Sequence, residues 1–259
     1  ITILPDQSVL LQYDAGVNRW RIISGGTSVA AGATINTIQI LASSTPSIPK
    51  LMDASSAFGM TGIAFIYNNQ LFTMGRGATA YGSNEAGLND QRAPSLVPIM
   101  GNNPPSGWSQ VVGNYATACA VSNVGTVYCW GTNGYGQLGL GDTVAHNGAN
   151  KVTFPASAGP IVSMTTNNNY ENNDNYYSFF AIDNAGKVYS WGYNGYGQLG
   201  DGTTVRRTSP VLAGGGTWAG KVITKVSLSS NGNSVVFASA VDSTGGLYTW
   251  GNSSSNQLG

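Results

Sequence analysis

Val188-Tyr189-Ser190-Trp191-Gly192 runs through one further residue into Asn194-Gly195-Tyr196-Gly197-Gln198-Leu199-Gly200. The same run stands earlier in the chain as Val127-Tyr128-Cys129-Trp130-Gly131 and Asn133-Gly134-Tyr135-Gly136-Gln137-Leu138-Gly139. A third copy, Leu247-Tyr248-Thr249-Trp250-Gly251, reaches Gln257-Leu258-Gly259, and a weaker fourth begins at Leu71-Phe72-Thr73-Met74-Gly75. Recurrence of this kind marks one supersecondary unit stacked on itself, so these residues are read as architecture before chemistry.

The anchor glycines Gly75, Gly131, Gly192 and Gly251 are separated by 56, 61 and 59 residues. That period exceeds those of helical-pair arrays and suits a four-stranded blade with long loops. Within each copy the pattern alternates: Val127 and Cys129 point one way, Tyr128 and Trp130 the other. Ala120-Val121-Ser122, Ala181-Ile182-Asp183 and Ala240-Val241-Asp242 supply a partner strand, joined by the hairpin turns Asn123-Val124-Gly125, Asn184-Ala185-Gly186 and Ser243-Thr244-Gly245. An inner strand is expected at Gln110-Val111-Val112, Ile161-Val162-Ser163 and Lys225-Val226-Ser227. No stretch sustains helical periodicity, and the fold class is all-β.

The apolar-Tyr-x-Trp-Gly strand, followed by Asn-x-x-Gly-Gln-Leu-Gly, resembles the regulator of chromosome condensation repeat. The residues that carry the resemblance are Trp130, Gly131, Gly136, Gln137, Leu138 and Gly139, then Trp191, Gly192, Gly197, Gln198, Leu199 and Gly200, and then Trp250 and Gly251. The first copy has lost the Trp and the Gln-Leu-Gly. The resemblance implies a β-propeller over residues 51–259, of a family that closes rings of about seven blades. About three and a half repeats are visible, so the propeller is read as partial, and the polypeptide is expected to continue past Gly259.

Residues 1–24 carry no repeat and read as a β-hairpin, with strands at Ser8–Tyr13 and Arg19–Ile23. Pro5/Ser8/Val9, Leu11/Tyr13/Asp14 and Asn18/Trp20/Arg21 resemble a hairpin module of bacteriophage tail fibres. An ordinary hairpin packed on the propeller is the alternative. Residues 25–50, rich in Gly, Ala, Ser and Thr and ending in Pro46-Ser47-Ile48-Pro49, read as a linker.

Hydrophobic residues make up 41% of the chain, enough for a core, while charged residues are 8% and the formal net charge is zero. With no basic patch, nucleic acid is not an expected partner, and no apolar run is long enough for membrane insertion by a helix. Cys119 and Cys129 flank a hairpin turn and can face each other across it. Two small buried hydrophobes are the favoured reading, a bridge the alternative.

Chemistry is sparse. Gly134/Gly136/Gly139 and Gly195/Gly197/Gly200 spell G-x-G-x-x-G, but no helix follows to meet a pyrophosphate, so no cofactor is expected. His146 is the single histidine and, in loop-like surroundings, is read as an exposed loop residue. The carboxylates Glu85, Asp90, Asp142, Asp174, Asp183, Asp201 and Asp242 show no acid–base pairing, and the four at repeat positions suit turn capping. Neither a catalytic set nor a metal loop is expected, and the chain is read as a non-enzyme. Asn168, Tyr170, Asn172, Asn175, Tyr176 and Tyr177, in an Asn- and Tyr-rich insertion, are the candidate receptor contacts, because amides and phenols suit sugar or protein surfaces. Trp108 and Trp218 are expected to pack beneath loops.

The expected function is therefore that of a virion tail adhesin: a homotrimeric fibre segment, joined to other tail proteins, that binds a host surface glycan or protein. The alternative is a cytoplasmic or nuclear propeller scaffold or small-GTPase exchange factor of the chromosome condensation regulator type.

Overall fold

The computed structural model describes residues 10–14, 19–23, 51–56, 62–76, 90–101, 103–114, 117–167, 177–214, 218–230, 236–253, 256 and 258. The chain divides into two units, residues 1–46 and 47–259. In the first, β1 (Leu10–Asp14) and β2 (Arg19–Ile23) pair antiparallel, with Tyr13 opposite Trp20.

Among the described residues the second unit holds four antiparallel sheets. The first blade comprises β3 (Leu51–Ser56), β4 (Gly62–Tyr67), β5 (Gln70–Arg76) and β6 (Asp90–Leu96). The second comprises β7 (Trp108–Gly113), β8 (Thr117–Ser122), β9 (Val127–Gly131) and β10 (His146–Lys151). The third comprises β11 (Ile161–Thr166), β12 (Ser178–Asp183), β13 (Val188–Gly192) and β14 (Arg207–Leu212). The fourth has three strands, β15 (Ile223–Ser230), β16 (Val236–Asp242) and β17 (Leu247–Gly251). Strands follow one another in chain order across every sheet, the meander of a propeller blade. The partial propeller expected from the repeat is thus the fold of this unit.

Alternation along each strand gives every blade two apolar faces, and the core lies between blades. Ala118, Ala120, Tyr128 and Trp130 pack against Ala64, Ile66 and Leu71 of the first blade. On the other face Cys119, Val121, Val127 and Cys129 meet Ile161, Met164, Phe179 and Trp191 of the third. Phe180, Ile182 and Val188 then meet Ile223, Val226 and Ala238 of the fourth. Trp130 and Trp191 are fully buried, and truncating an aromatic in such a setting costs about 3–5 kcal/mol. Trp108 and Trp218 are buried as expected, edge-on to Tyr128 and Tyr248.

The structure corrects two readings. Cys119 and Cys129 are directly opposed on β8 and β9 and form a disulfide, with 4.1 Å between their Cα atoms. Their side chains share one face in that register, which brings the sulfurs together instead of leaving two separate thiols. His146 is not an exposed loop residue: it opens β10 opposite Gly131 and is half-buried.

Candidate recognition surface

The Gly-rich run after each Trp-Gly folds on its own side chains. Asn133 Oδ1 accepts from Leu138 N at 2.9 Å, and its Nδ2 donates to Asp142 Oδ1 at 2.6 Å. Asn194 repeats this, accepting from Leu199 N at 2.9 Å and donating to Asp201 Oδ1 at 3.1 Å. Gln137 Oε1 accepts from Tyr135 N at 2.8 Å, and Gln198 Oε1 from Tyr196 N at 3.0 Å. Each loop is therefore fixed by two buried amides, which satisfy backbone groups that no ladder reaches.

The loops fasten one blade to the next. Trp191 Nε1 donates to Gln137 O at 2.9 Å, and Trp250 Nε1 donates to Gln198 O at 2.7 Å. Gly139 and Gly200 lie against these indoles with φ of 70° and 68°, a conformation and a spacing that a Cβ would oppose. At the opposite end, Ile161 N donates to Gly125 O and Ile223 N to Gly186 O, both at 3.0 Å. The third blade is thus tied at both ends to the second, and the fourth to the third, whereas Trp130 Nε1 of the second blade has no partner among the described residues.

Mounted on this frame is a cluster that the sequence reading passed over. The Tyr135 and Tyr193 rings meet edge-on at 5.7 Å, Tyr193 and Tyr196 at 6.2 Å, and the Arg206 guanidinium lies 5.9 Å from the Tyr135 ring centre. The three rings are half-buried and Arg206 is exposed. Tyr193 stands where the second blade has Thr132. Thr132 Oγ1 receives the amide of Gln137 at 3.5 Å, whereas Gln198 Nε2 is buried without a partner. The third blade thus lacks the acceptor that the second has at this place and carries a half-buried ring there instead.

The sequence-based candidates fare differently. Asn168, Tyr170, Asn172, Asn175 and Tyr176 lie outside the described residues. Tyr177 is a correction: it is 2% exposed and packs in the core between the second and third blades, because it immediately precedes β12 and its carbonyl accepts from Tyr193 N at 2.9 Å.

The four repeat-position carboxylates, Asp142, Asp183, Asp201 and Asp242, cap turns, while Glu85 and Asp174 lie outside the described residues. Asp183 Oδ1 accepts from Ala185 N and Lys187 N, each at 2.9 Å. Asp242 accepts from Thr244 N, Thr244 Oγ1 and Gly246 N through Oδ1, and from the Tyr248 hydroxyl through Oδ2. The Thr244 hydroxyl first, then the Gly246 amide and Tyr248, hold the Asp242 carboxyl far below the usual range. Burial pushes Asp201 up, but the Arg207 guanidinium and the Thr203 hydroxyl and amide outweigh it and leave the carboxyl lowered. Asp142 is lowered against burial by the His146 ring and the Val144 amide, with His146 Nε2 at 3.1 Å. Arg207 opens β14 opposite Gly192, so His146 and Arg207 are repeat equivalents. Among the described residues no three His, Cys, Asp or Glu side chains gather as a metal set.

Meander sheets with interblade cores, pegged by an indole to the preceding blade's Gly-rich loop, define a segment of a repeat β-propeller. Residues 124–166 and 185–236 match the family model of the Regulator of chromosome condensation (RCC1) repeat. The chain is similar to the Ultraviolet-B receptor UVR8 of Arabidopsis thaliana, 28% identical over 151 residues, which are 58% of this chain and 31% of UVR8. Among solved structures it is similar to human WBSCR16, with a TM-score of 0.62 and 16% identity over 80% of this chain and 50% of that one. Prp20p of Saccharomyces cerevisiae follows with a TM-score of 0.56 and 16% identity, over 80% of this chain and 46% of that one. The chain thus spans about a third to a half of these relatives, and the two structures speak to its fold alone.

Proposed function

We propose that this chain is a non-catalytic recognition module: an RCC1-type propeller segment that binds a protein partner through Tyr135, Tyr193, Tyr196 and Arg206. One observation carries the reading. Tyr193 stands where the preceding repeat has the Thr acceptor, leaving buried Gln198 Nε2 unpartnered, and local rule-breaking of this kind is expected at functional sites. Tyr and Arg dominate binding energy at protein interfaces, and rings already packed on one another lose little freedom when they bind. The comparisons favour the scaffold or exchange-factor alternative over the fibre. Prp20p is described as binding Gsp1p and histones, so a small GTPase is a partner to test. The test compares capture of partner proteins by the wild-type chain with capture by Tyr135→Ala/Tyr196→Ala and by Val124→Asp at the opposite end. A partner lost only with the tyrosines supports this surface, and equal capture by all three sinks it. Faster release of labelled GDP from a GTPase would assign exchange activity.

The Cys119–Cys129 disulfide favours a second reading, in which the chain works outside the reducing cytoplasm. With few charges and the fibre-like hairpin, a virion tail adhesin, homotrimeric and bound to other tail proteins and a host surface glycan or protein, fits that setting. Thiol titration of the protein from its native source decides: two free thiols remove this support.

A further inference from the structure

Gln110 reaches from β7 to β11 and clasps the main chain of Met164. Its Oε1 accepts from Met164 N at 2.8 Å, and its Nε2 donates to Met164 O at 3.0 Å. A primary carboxamide offers a donor and an acceptor side by side, which is what a main-chain N–H and C=O on one strand edge require. The carboxamide thereby bridges the inner strands of the second and third blades.

The next interface repeats the main chain without the clasp. Ser163 stands in the third blade where Gln110 stands in the second, the two pairing with Ile182 and Val121 at corresponding places after a register shift. Val226 stands where Met164 does: Met164 pairs with Ala181 and Val226 with Ala240, and those alanines face Tyr189 and Tyr248. By that register Val226 turns its N–H and C=O away from β16, as Met164 turns its own away from β12. The short Ser163 side chain does not reach them, and among the described residues no side chain bonds Val226. What remains is a cleft of about 210 Å³ lined by Ser163, Phe180, Ile182, Lys225, Val226 and Ser227. Phe180 and Ile182 are buried, whereas Lys225 and Ser227 are exposed.

We propose that this cleft binds a primary carboxamide, carried by free glutamine or by a glutamine side chain of a peptide. The ligand amide takes the N–H and C=O of Val226 as Gln110 takes those of Met164, with its methylene stem against Phe180 and Ile182. Ser163 is what opens the site, and Lys225 offers a cation to a ligand carboxylate.

The test is a titration of the isotopically labelled chain, following the Val226 amide resonance. L-Glutamine represents the free amino acid, N-acetyl-glutamine methylamide the peptide side chain, and L-glutamate the same shape without the amide donor. A saturable shift with either amide, at least about tenfold weaker with glutamate, supports the site, because a missing donor leaves the Val226 carbonyl unpaired. The stronger of the two amides names the source. Ser163→Gln fills the cleft from within and is expected to abolish the shift while raising Tm. Ser163→Leu fills it without hydrogen bonds and is expected to abolish the shift too. Equal binding of glutamate, no shift with either amide, or full binding by a folded Ser163 variant overturns the proposal.

Discussion

The indole Nε1 of Trp191 donates to the main-chain oxygen of Gln137, 54 residues earlier, across 2.9 Å of buried interior. Trp191→Phe keeps an aromatic ring but removes the donor and part of the volume. The expected loss is about 2–4 kcal/mol, from an unsatisfied buried carbonyl together with a small cavity. Trp250→Phe is expected to cost less, since Trp250 is only half-buried on the fourth blade. Urea midpoints of the two variants, at unchanged slope, check the order.

Cys119→Ala with Cys129→Ala is expected to lower stability by about 3 kcal/mol, the loop-closure contribution of a bridge spanning ten residues of sequence. Both sulfurs are fully buried, so mild reductant should act slowly on the folded chain. Urea midpoints of the double variant read the first expectation, and mass spectrometry of the wild-type chain with a thiol-blocking reagent, before and after unfolding, reads the second.

Tyr193→Thr restores at Gln198 the acceptor that Thr132 gives Gln137. A gain of about 1 kcal/mol in stability is expected, together with loss of partner binding. Thermal unfolding alongside a binding assay separates this from a merely structural role, in which both would fall together.

Acid should weaken the fourth blade through Asp242. Its carboxyl is held lower in the folded chain than in the unfolded one, so the stabilisation is fully present above about pH 4. It is lost as pH falls through the lowered folded value. Asp242→Asn is expected to be less stable than wild type near pH 7 and to show a flatter decline between about pH 4 and pH 2. Denaturant titrations over that range provide the comparison.

The sequence carried the three inner strands of each blade because they alternate between two apolar faces, as at Val127 to Trp130. It hid the outer strands. His146–Lys151 and Arg207–Leu212 bury few side chains, so no apolar period marks them. The tyrosine cluster was obscured because Tyr135 and Tyr196 belong to the repeated motif and read as scaffold. The sign that was available lay in the difference between copies, Tyr193 against Thr132. Whether Cys119 and Cys129 bridge turned on which residues stand opposite across the hairpin, and that pairing needed the structure.

The Trp-to-Gln bond has a direction: every donor comes after its acceptor, by 54 residues in one case and 52 in the other. As the chain leaves a ribosome, each Gly-rich loop is complete before the indole that will seal it has been made. Each of these two bonds can therefore form only after the following blade's β-strand with its Trp has been synthesised.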